Sequence, residues 1–272
     1  MNPQNPIPKL VTFDGEARSG KGTVVGATKD YLRDEYGQKV MLIDAGQVFR
    51  VLGVAAVRAG IDMNDPAALD EFLSDAENVS ACIQLVRDVY RMSKDERDAL
   101  IYSNEAGVNS AKMGARPLSQ EFKDNLLRKW LRDARTDGYE TVLFDGRACE
   151  ETGNMLETAG LCDFVLGLYF TCDPWVGARR TLGYAATPYD ELDANARLAV
   201  DELVEQINAR NASDRNRAVQ PIVPPADTVV SKLPEIAEYT GDGRPMYIID
   251  TSAEITKNEM ALPVAKLVAS HL

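Results

Sequence analysis

The chain has 272 residues, which at about 150 residues per domain allows one large domain or a core with inserted subdomains. Its 45% apolar and 26% charged residues are typical of a globular protein. The net charge of −12 argues against a general nucleic-acid coat protein or a binder of anionic membranes. The only histidine, His271, argues against Ser-His-Asp chemistry and against a multi-His metal site.

The cysteine pattern and the first residues predict the compartment. The four cysteines show no CxxC spacing, so we expect reduced, partly buried thiols rather than a zinc site or disulfides. Residues 1–10 lack a basic segment followed by an apolar one, and no run of 18 apolar residues occurs. We therefore expect a cytoplasmic protein without a signal peptide or a membrane partner.

Five short apolar runs are separated by stretches long enough for helices. They are KLVTF, KVMLI, ETVLF, DFVLGLYF and MYII, ending at residues 13, 43, 144, 170 and 249. This alternation predicts an α/β fold with a central five-stranded parallel sheet flanked by helices. Four of the runs end directly in an aspartate: Asp14, Asp44, Asp145 and Asp250. Ligands of such sheets bind beyond the carboxyl ends of the strands, so each aspartate is a candidate site residue or, alternatively, a helix N-cap.

Three segments interrupt the alternation. Residues 61–116 are polar, charged and irregular, and residues 174–219 predict a charged helical hairpin. Residues 231–244 form a Pro- and Gly-bearing insertion before the last predicted strand.

A glycine-rich loop follows the first predicted strand and precedes a predicted helix over residues 22–35. Its candidate phosphate ligands are Gly15, Ser19, Gly20, Lys21, Gly22 and Thr23. Backbone N–H groups of such a loop and the helix N-terminus bind phosphate oxygens, and Lys21 would reach the β- and γ-phosphates. The strict P-loop pattern has Ser or Thr directly after the lysine; here Gly22 intervenes, and the Thr23 hydroxyl is the candidate for placing magnesium.

Four motifs, in order, resemble the bacterial cytidylate kinase family of P-loop nucleoside monophosphate kinases. They are VTFDG-(4)-GKGT at 11–23, DAGQVFRVLGVAA at 44–56, VLFDGR at 142–147 and ARNASDRNRAVQPIVPPADTVV at 209–230. The resemblance implies transfer of the ATP γ-phosphoryl group to CMP or dCMP with Mg²⁺. It also implies a P-loop kinase fold with a CORE domain (1–60, 117–178 and 220–272), an NMP-binding subdomain (61–116) and a lid (179–219).

The implied reaction fits the residues present. The acceptor is already a phosphate anion, so no general base is required, and catalysis consists mainly of positioning and charge neutralisation. In the family, the residue matching Arg50 holds the acceptor monophosphate. By resemblance Arg147 also grips that phosphate, and Asp145 stands near magnesium.

The lid residues can be placed on helix faces. If residues 209–217 are helical, Asp214 and Arg217 lie within about 40° of Arg210 on one face, and we expect that face to contact the acceptor. Arg215 then points away, toward the ATP phosphates. Arg179 and Arg180 resemble the family's ATP-side arginines. The alternative is an exposed helix carrying i,i+4 ion pairs.

The chain departs from the family pattern at several positions. Ala45 stands where the family usually has Ser or Thr, and Ala148 where it usually has Asp. Ser213 stands where the family usually has Arg. Lys123 falls near the position of another phosphate-binding arginine, and Arg116 competes with it if the register shifts. A lysine cannot make the two-pronged contact of a guanidinium.

Together these assignments predict a catalytic set and an acceptor set. The catalytic set is Lys21, Asp145, Arg147, Arg215 and Arg217, and the acceptor set is Asp44, Arg50, Lys123, Arg147, Arg210, Asp214 and Arg217. The expected partners are nucleotides, with no nucleic acid, and we expect a monomer. Two rival hypotheses are a kinase for another acceptor, including a hydroxyl acceptor with Asp44 as the base, and a catalytically degenerate regulatory nucleotide-binding protein.

Overall fold

A computed structural model describes residues 5–218, 220–226 and 228–272, without the side chain of Asn104. The predictions that fall on residues 1–4, on Val219 at the end of the predicted lid and on Asp227 of the 209–230 motif lie outside the described residues.

The centre of the fold is a sheet with strand order β2-β3-β1-β4-β6-β5. The strands are β1 Lys9–Gly15, β2 Val40–Asp44, β3 Thr141–Asp145, β4 Asp163–Thr171, β5 Val229–Lys232 and β6 Met246–Asp250. β1 pairs in parallel with β3 and β4, and β6 pairs in parallel with β4 and β5. The parallel α/β fold is confirmed, but the sheet has six strands rather than five. The added strand, β5, has only four residues, and the insertion at 231–244 begins inside it.

Helices connect the strands. In chain order they are α1 Lys21–Tyr36, α2 Ala45–Arg58, α3 Pro66–Ser74, α4 Ala76–Arg91, α5 Lys94–Ile101, α6 Asn104–Gly114, α7 Pro117–Thr136, α8 Cys149–Thr158, α9 Pro174–Thr181, α10 Ala194–Arg215 and α11 Lys257–Ser270. The segment 61–116, which the sequence marks as irregular, is largely helical. Asp65, Asp75, Ser93 and Ser103 cap the four helices there with their side-chain oxygens, as expected of N-cap residues.

The chain forms two compact units, Met1–Ile43 with Leu131–Leu272, and Asp44–Trp130. The first unit, which we call the sheet unit, has a core of strand and helix residues such as Val11, Phe13, Phe170 and Ile249, none of them exposed. The second, which we call the helical unit, has its own core around Val51, Leu52, Val86 and Ile101. Each unit thus has a separate apolar core.

All four cysteines are free and buried, and burial raises the pKa of Cys82 to about 11. None of the helices in the described part of the chain combines the length and apolar character that crossing a membrane requires.

Candidate active site

The glycine-rich loop between β1 and α1 has the backbone conformation of a phosphate-binding loop. Gly15 has φ +137°, and a side chain there would collide with the Phe170 carbonyl oxygen of the neighbouring strand. Gly20 has φ +81° and stands at the N-cap position of α1. These values are in a region that L side chains rarely adopt. The loop therefore depends on glycine at both positions, and it ends at a helix N-terminus that favours anions.

Lys21 lies at the carboxyl edge of the sheet. Its ammonium group is 2.5 Å from the Asp145 carboxylate at the end of β3 and donates to the Gly146 carbonyl at 2.9 Å. The two strands β1 and β3 are neighbours, so residues just beyond their ends are brought together, as expected for ligand-binding residues of a parallel sheet. The pair joins the P-loop lysine to the strand-end aspartate.

Arg147 connects this edge to the end of α10. Its guanidinium lies 3.3 Å from the Asp214 carboxylate and also donates to the Gly15 carbonyl. Arg210 and Arg217 each lie 3.8 Å from the same carboxylate. Asp214 is therefore the shared partner of three of the predicted arginines.

Arg217 lies close to Asp214 although α10 ends before Arg217. α10 ends at Arg215 with Asn216 as its C-cap, so the predicted helix over 209–217 is two residues too long. Burial lowers the pKa of Arg217, and the Asp214 carboxylate opposes this shift. The guanidinium also donates to the Gln220 carbonyl at 2.9 Å. Because Arg217 follows Asp214 by only three residues, the two side chains stay close even though the chain leaves the helix at Asn216.

A neighbouring face of α10 contacts the P-loop. Arg215 forms an ion pair with Glu16, and the Asn211 side-chain oxygen accepts a hydrogen bond from the Ala17 amide at 2.9 Å. Arg215 therefore points toward the phosphate-binding loop, away from the face that carries Arg217. Its partner in the structure is a P-loop carboxylate.

Arg179 and Arg180 lie in the last turn of α9 and contact the loop after β6. Arg179 forms an ion pair with Glu254 and donates to the Thr187 carbonyl at 2.7 Å. Arg180 donates to the Ala253 carbonyl. Both predicted ATP-side arginines are thus tied to the segment that follows the last strand.

The helical unit carries the other acceptor-side candidates. Asp44 caps α2 and accepts from the amide and side chain of Gln47, both at 3.1 Å. Arg50, on α2, donates to the Ile101 carbonyl at 2.8 Å, and its guanidinium lies 4.7 Å from the centre of the Tyr102 ring. Desolvation of the Tyr102 hydroxyl, with a further contribution from Asp44, raises the Tyr102 pKa to about 12. Tyr102 therefore lies near both predicted residues.

Lys123 and Arg116 differ in their partners. Lys123 on α7 is 1% exposed and lies 2.9 Å from Asp124, whereas Arg116 forms an ion pair with Asp70 on α3.

The three departures from the family pattern have identifiable local settings. Ala45 is buried in the first turn of α2, and Ser213 is exposed on α10. Ala148 has φ +50° at the N-cap of α8, a position without a side-chain cap. The Asp14 carboxylate accepts from the Cys149 amide at 3.1 Å and so supplies the missing cap from β1.

The predicted magnesium residues fit a site completed by a substrate. No group of three His, Cys, Asp or Glu side chains suited to a metal occurs among the residues that the structure describes. Mg²⁺ commonly takes one or two carboxylates, substrate phosphate oxygens and several waters. Asp145 at the strand end and the exposed Thr23 near the start of α1 offer oxygen atoms of the right kind for that type of site.

Sequence reasoning missed Glu16, Asn211 and Tyr102. Glu16 carries a charge inside the P-loop, which is a signal that the sequence offers. Asn211 lies one helical turn before Arg215, so the assumed helix already placed the two on one side. Tyr102 has no comparable signal, because its proximity to Arg50 depends on how α2 and the end of α5 pack.

The fold and this edge define a P-loop phosphotransferase. The sequence profile described as cytidylate kinase matches residues 11–236. The chain therefore belongs to the cytidylate kinase family, a family of nucleoside monophosphate kinases.

Individual relatives agree with this assignment. Over 228 residues the chain is 26% identical to a cytidylate kinase from Shewanella piezotolerans, covering 81% of this chain and 86% of that one. It is 26% identical over 252 residues to one from Cupriavidus pinatubonensis, covering 92% and 99%. A cytidylate kinase from Fervidobacterium nodosum is 24% identical over 220 residues, covering 80% and 86%.

Proposed function

We propose that the protein transfers the γ-phosphoryl group of ATP to CMP or dCMP, giving ADP and CDP or dCDP. The observation that carries the proposal is the set of cations at one edge of the sheet unit, where Lys21 pairs with Asp145 and Arg147 and Arg217 share Asp214. Two substrates that together bring several negative charges require such a set.

In the proposed reaction the residues of the edge bind and orient the phosphates of the two substrates. The P-loop amides and Lys21 hold the donor phosphates, with Arg179, Arg180 and Arg215 on the donor side. Arg147 and Arg217 bind phosphate oxygens while negative charge is redistributed among these oxygens during phosphoryl transfer. Magnesium, when bound, neutralises phosphate charge, and Asp145 with Thr23 would hold it. Since the acceptor is an anion, none of these residues has to remove a proton.

Acceptor selection is assigned to Arg210 and Asp214, with Asp44, Arg50 and Lys123 as further acceptor-side residues. Arg210 is half-exposed and lies 3.8 Å from the buried Asp214 carboxylate, so its guanidinium is open to a base or sugar while that carboxylate orients it. We further propose residues 61–116 as the NMP-binding subdomain, residues 179–219 as the lid and the rest as the CORE domain. Closure of the lid would exclude water and limit ATP hydrolysis.

The proposal is tested by steady-state phosphorylation of CMP, dCMP, UMP and AMP with MgATP. We expect CMP and dCMP to have the highest kcat/KM. A preference for AMP or UMP of more than tenfold, about 1.4 kcal/mol, would overturn the acceptor assignment.

The rival hypotheses make different predictions when a nucleoside acceptor and a measurement of ATP binding are added to this assay. A hydroxyl-acceptor kinase with Asp44 as base would phosphorylate a nucleoside, but the Asp44 carboxylate is engaged as the α2 cap. A regulatory nucleotide-binding protein would bind ATP and turn over no monophosphate. Either result would replace the proposed activity.

A further inference from the structure

One tyrosine of the helical unit contacts both ends of that unit. The chain enters the unit at Asp44 and leaves it at Trp130. Tyr90, near the end of α4, bonds to the Asp44 backbone through its hydroxyl. The centres of the Tyr90 and Trp130 rings are 5.2 Å apart, at an interplanar angle of 61°. Tyr90 has no role in the reaction proposed above, so this double contact requires a separate explanation.

The Tyr90 hydroxyl makes two hydrogen bonds to a single residue. It donates to the Asp44 carbonyl at 3.1 Å and accepts from the Asp44 amide, also at 3.1 Å. Asp44 is the last residue of β2, the strand at one end of the sheet order. A strand at the edge of a sheet presents N–H and C=O groups that no neighbouring strand takes up. One hydroxyl, acting as donor and acceptor at once, fixes the Asp44 backbone on both sides of its Cα.

The helix that carries Tyr90 is anchored in the core of the helical unit. Val86 and Val89 on α4 are fully buried and belong to the same apolar cluster as Val51 on α2. Tyr90 follows Val89 directly, so its backbone cannot shift without disturbing that core. The edge-to-face contact with Trp130 restrains the ring as well. The hydroxyl is therefore held at a defined position relative to α2.

Asp44 passes this restraint on to α2. Its carboxylate accepts hydrogen bonds from the amide and the side chain of Gln47, both at 3.1 Å, and so caps the helix. Arg50 follows Gln47 by three residues and lies on the same side of α2. A shift of the Asp44 backbone would move the cap, and with it the direction in which the first turns of α2 present the Arg50 side chain.

We propose that Tyr90 is a positioning residue for acceptor binding: its hydroxyl fixes the Asp44 cap at the start of α2 and thereby orients Arg50 toward the acceptor monophosphate. The inference rests on the proposed function, because it takes Arg50 as an acceptor-side residue. Without the hydroxyl, the acceptor has to order the start of α2 as it binds, which weakens binding. The transfer step is unchanged once the acceptor is in place.

Tyr90→Phe tests this, because it removes only the hydroxyl and keeps the ring beside Trp130. In steady-state phosphorylation with CMP varied at saturating MgATP, we expect KM for CMP to rise about fivefold, the scale of losing such hydrogen bonds. KM for ATP and kcat should stay within twofold of the wild type. Tyr139→Phe is the matched control: Lys39 contacts the face of the Tyr139 ring, which phenylalanine retains, so none of these constants should change.

A double variant tests whether Tyr90 acts through Arg50. In an Arg50→Lys background the guanidinium to be positioned is absent, so adding Tyr90→Phe should change KM for CMP by less than twofold. A further fivefold rise on top of the Arg50→Lys effect would overturn the inference, since Tyr90 would then act independently of Arg50.

A merely structural role of Tyr90 gives a different pattern. Lower stability alone would reduce the active fraction, and hence kcat, while KM for CMP stays within twofold of the wild type; this result overturns the inference. An equal rise of KM for CMP and for ATP overturns it as well. If Tyr90→Phe does not fold, Gln47→Ala takes its place with the same criterion for KM, because it loses a bond to the Asp44 carboxylate.

The outcome is separable from the test of the proposed function. Turnover of CMP by the wild type with no change of KM in Tyr90→Phe refutes this inference alone. A preference for UMP or AMP, with KM for that monophosphate raised about fivefold in Tyr90→Phe, refutes the proposed acceptor alone. If the wild type phosphorylates no monophosphate, both fail.

Discussion

The phosphate-binding edge of the sheet unit (residues 14–23, 145–147 and 210–217) and the Arg50 setting in the helical unit hold predicted site cations by different means. At the edge, four predicted site cations pair with carboxylates of the chain: Lys21 has Asp145, Arg147 and Arg217 have Asp214, and Arg215 has Glu16. In the helical unit, Arg50 lies over an aromatic ring and donates to a backbone carbonyl.

The two settings differ in what determines them: neighbouring residues in the sequence determine the edge, whereas the packing of distant segments determines the Arg50 setting. The edge is built on the conformation of one nine-residue loop and on the ends of adjacent strands, which a short sequence determines. The Arg50 setting depends on the packing of α2 against the end of α5, which no short pattern determines. We therefore expect substitutions at the edge to affect the reaction itself, and substitutions around Arg50 to affect only acceptor binding.

Lys21→Ala gives the largest expected effect. It removes the cation that follows the P-loop glycines, and we expect kcat for every acceptor to fall by about 10³-fold, the scale of losing one preorganised charge contact. Thermal unfolding should change little. Lys257→Ala, an exposed lysine at the start of α11, is the control. A fall of less than tenfold would show that the edge is not the reaction site.

Gly15→Ala tests the backbone part of the comparison. The strained φ and the clash with the Phe170 carbonyl should lower the free energy of unfolding by about 3 kcal/mol, measured by urea denaturation. Gly22→Ala is the matched variant, because a methyl group at Gly22 meets no atom within 4 Å, and its stability should be unchanged or slightly higher. Equal stability of the two variants would contradict the loop conformation.

Arg50→Lys tests the helical unit. The lysine keeps the charge but loses the planar fork, so KM for the acceptor should rise about tenfold while KM for ATP stays the same. Arg58→Lys, exposed at the end of the same helix, should have no effect. If KM for ATP rose as much as KM for the acceptor, the separation between the two regions would be wrong.

Glu16→Gln gives the smallest expected effect. It frees Arg215, whose side chain is 50% exposed, from a pair that competes with phosphate. Because an ion pair with one half-exposed partner contributes about 1 kcal/mol, ATP should bind up to about fivefold more tightly in a calorimetric titration. Glu35→Gln, exposed on α1, is the control. Weaker ATP binding in Glu16→Gln would mean that Glu16 positions Arg215 for the donor.

Much of the fold could be predicted because its signals are local. The five apolar runs, the P-loop and the strand-end aspartate at 145 are each contained in a few neighbouring residues. The sixth strand was missed because VVSK is too short to show a pattern and is followed closely by Pro234. The helices of 61–116 were missed although Ser93 and Glu96 form a capping box, a signal that the sequence contains.

The arrangement of the site was predictable only in part. The face shared by Arg210, Asp214 and Arg217 follows from helical spacing, and these residues do meet, although the helix ends at Arg215. The partners Glu16 and Asn211 could not be assigned, because which carboxylate or amide reaches a long arginine or a loop amide depends on how α10 packs on the P-loop.

The ion pairs at the phosphate-binding edge affect how the affinity for ATP responds to ionic strength. Lys21, Arg147 and Arg215 are neutralised by tethered carboxylates rather than by mobile ions from solution. Nucleotide binding then exchanges one anion for another on the same cation and releases few dissolved counter-ions. The logarithm of ATP affinity should therefore fall with the logarithm of salt concentration more gently than the number of basic contacts would imply.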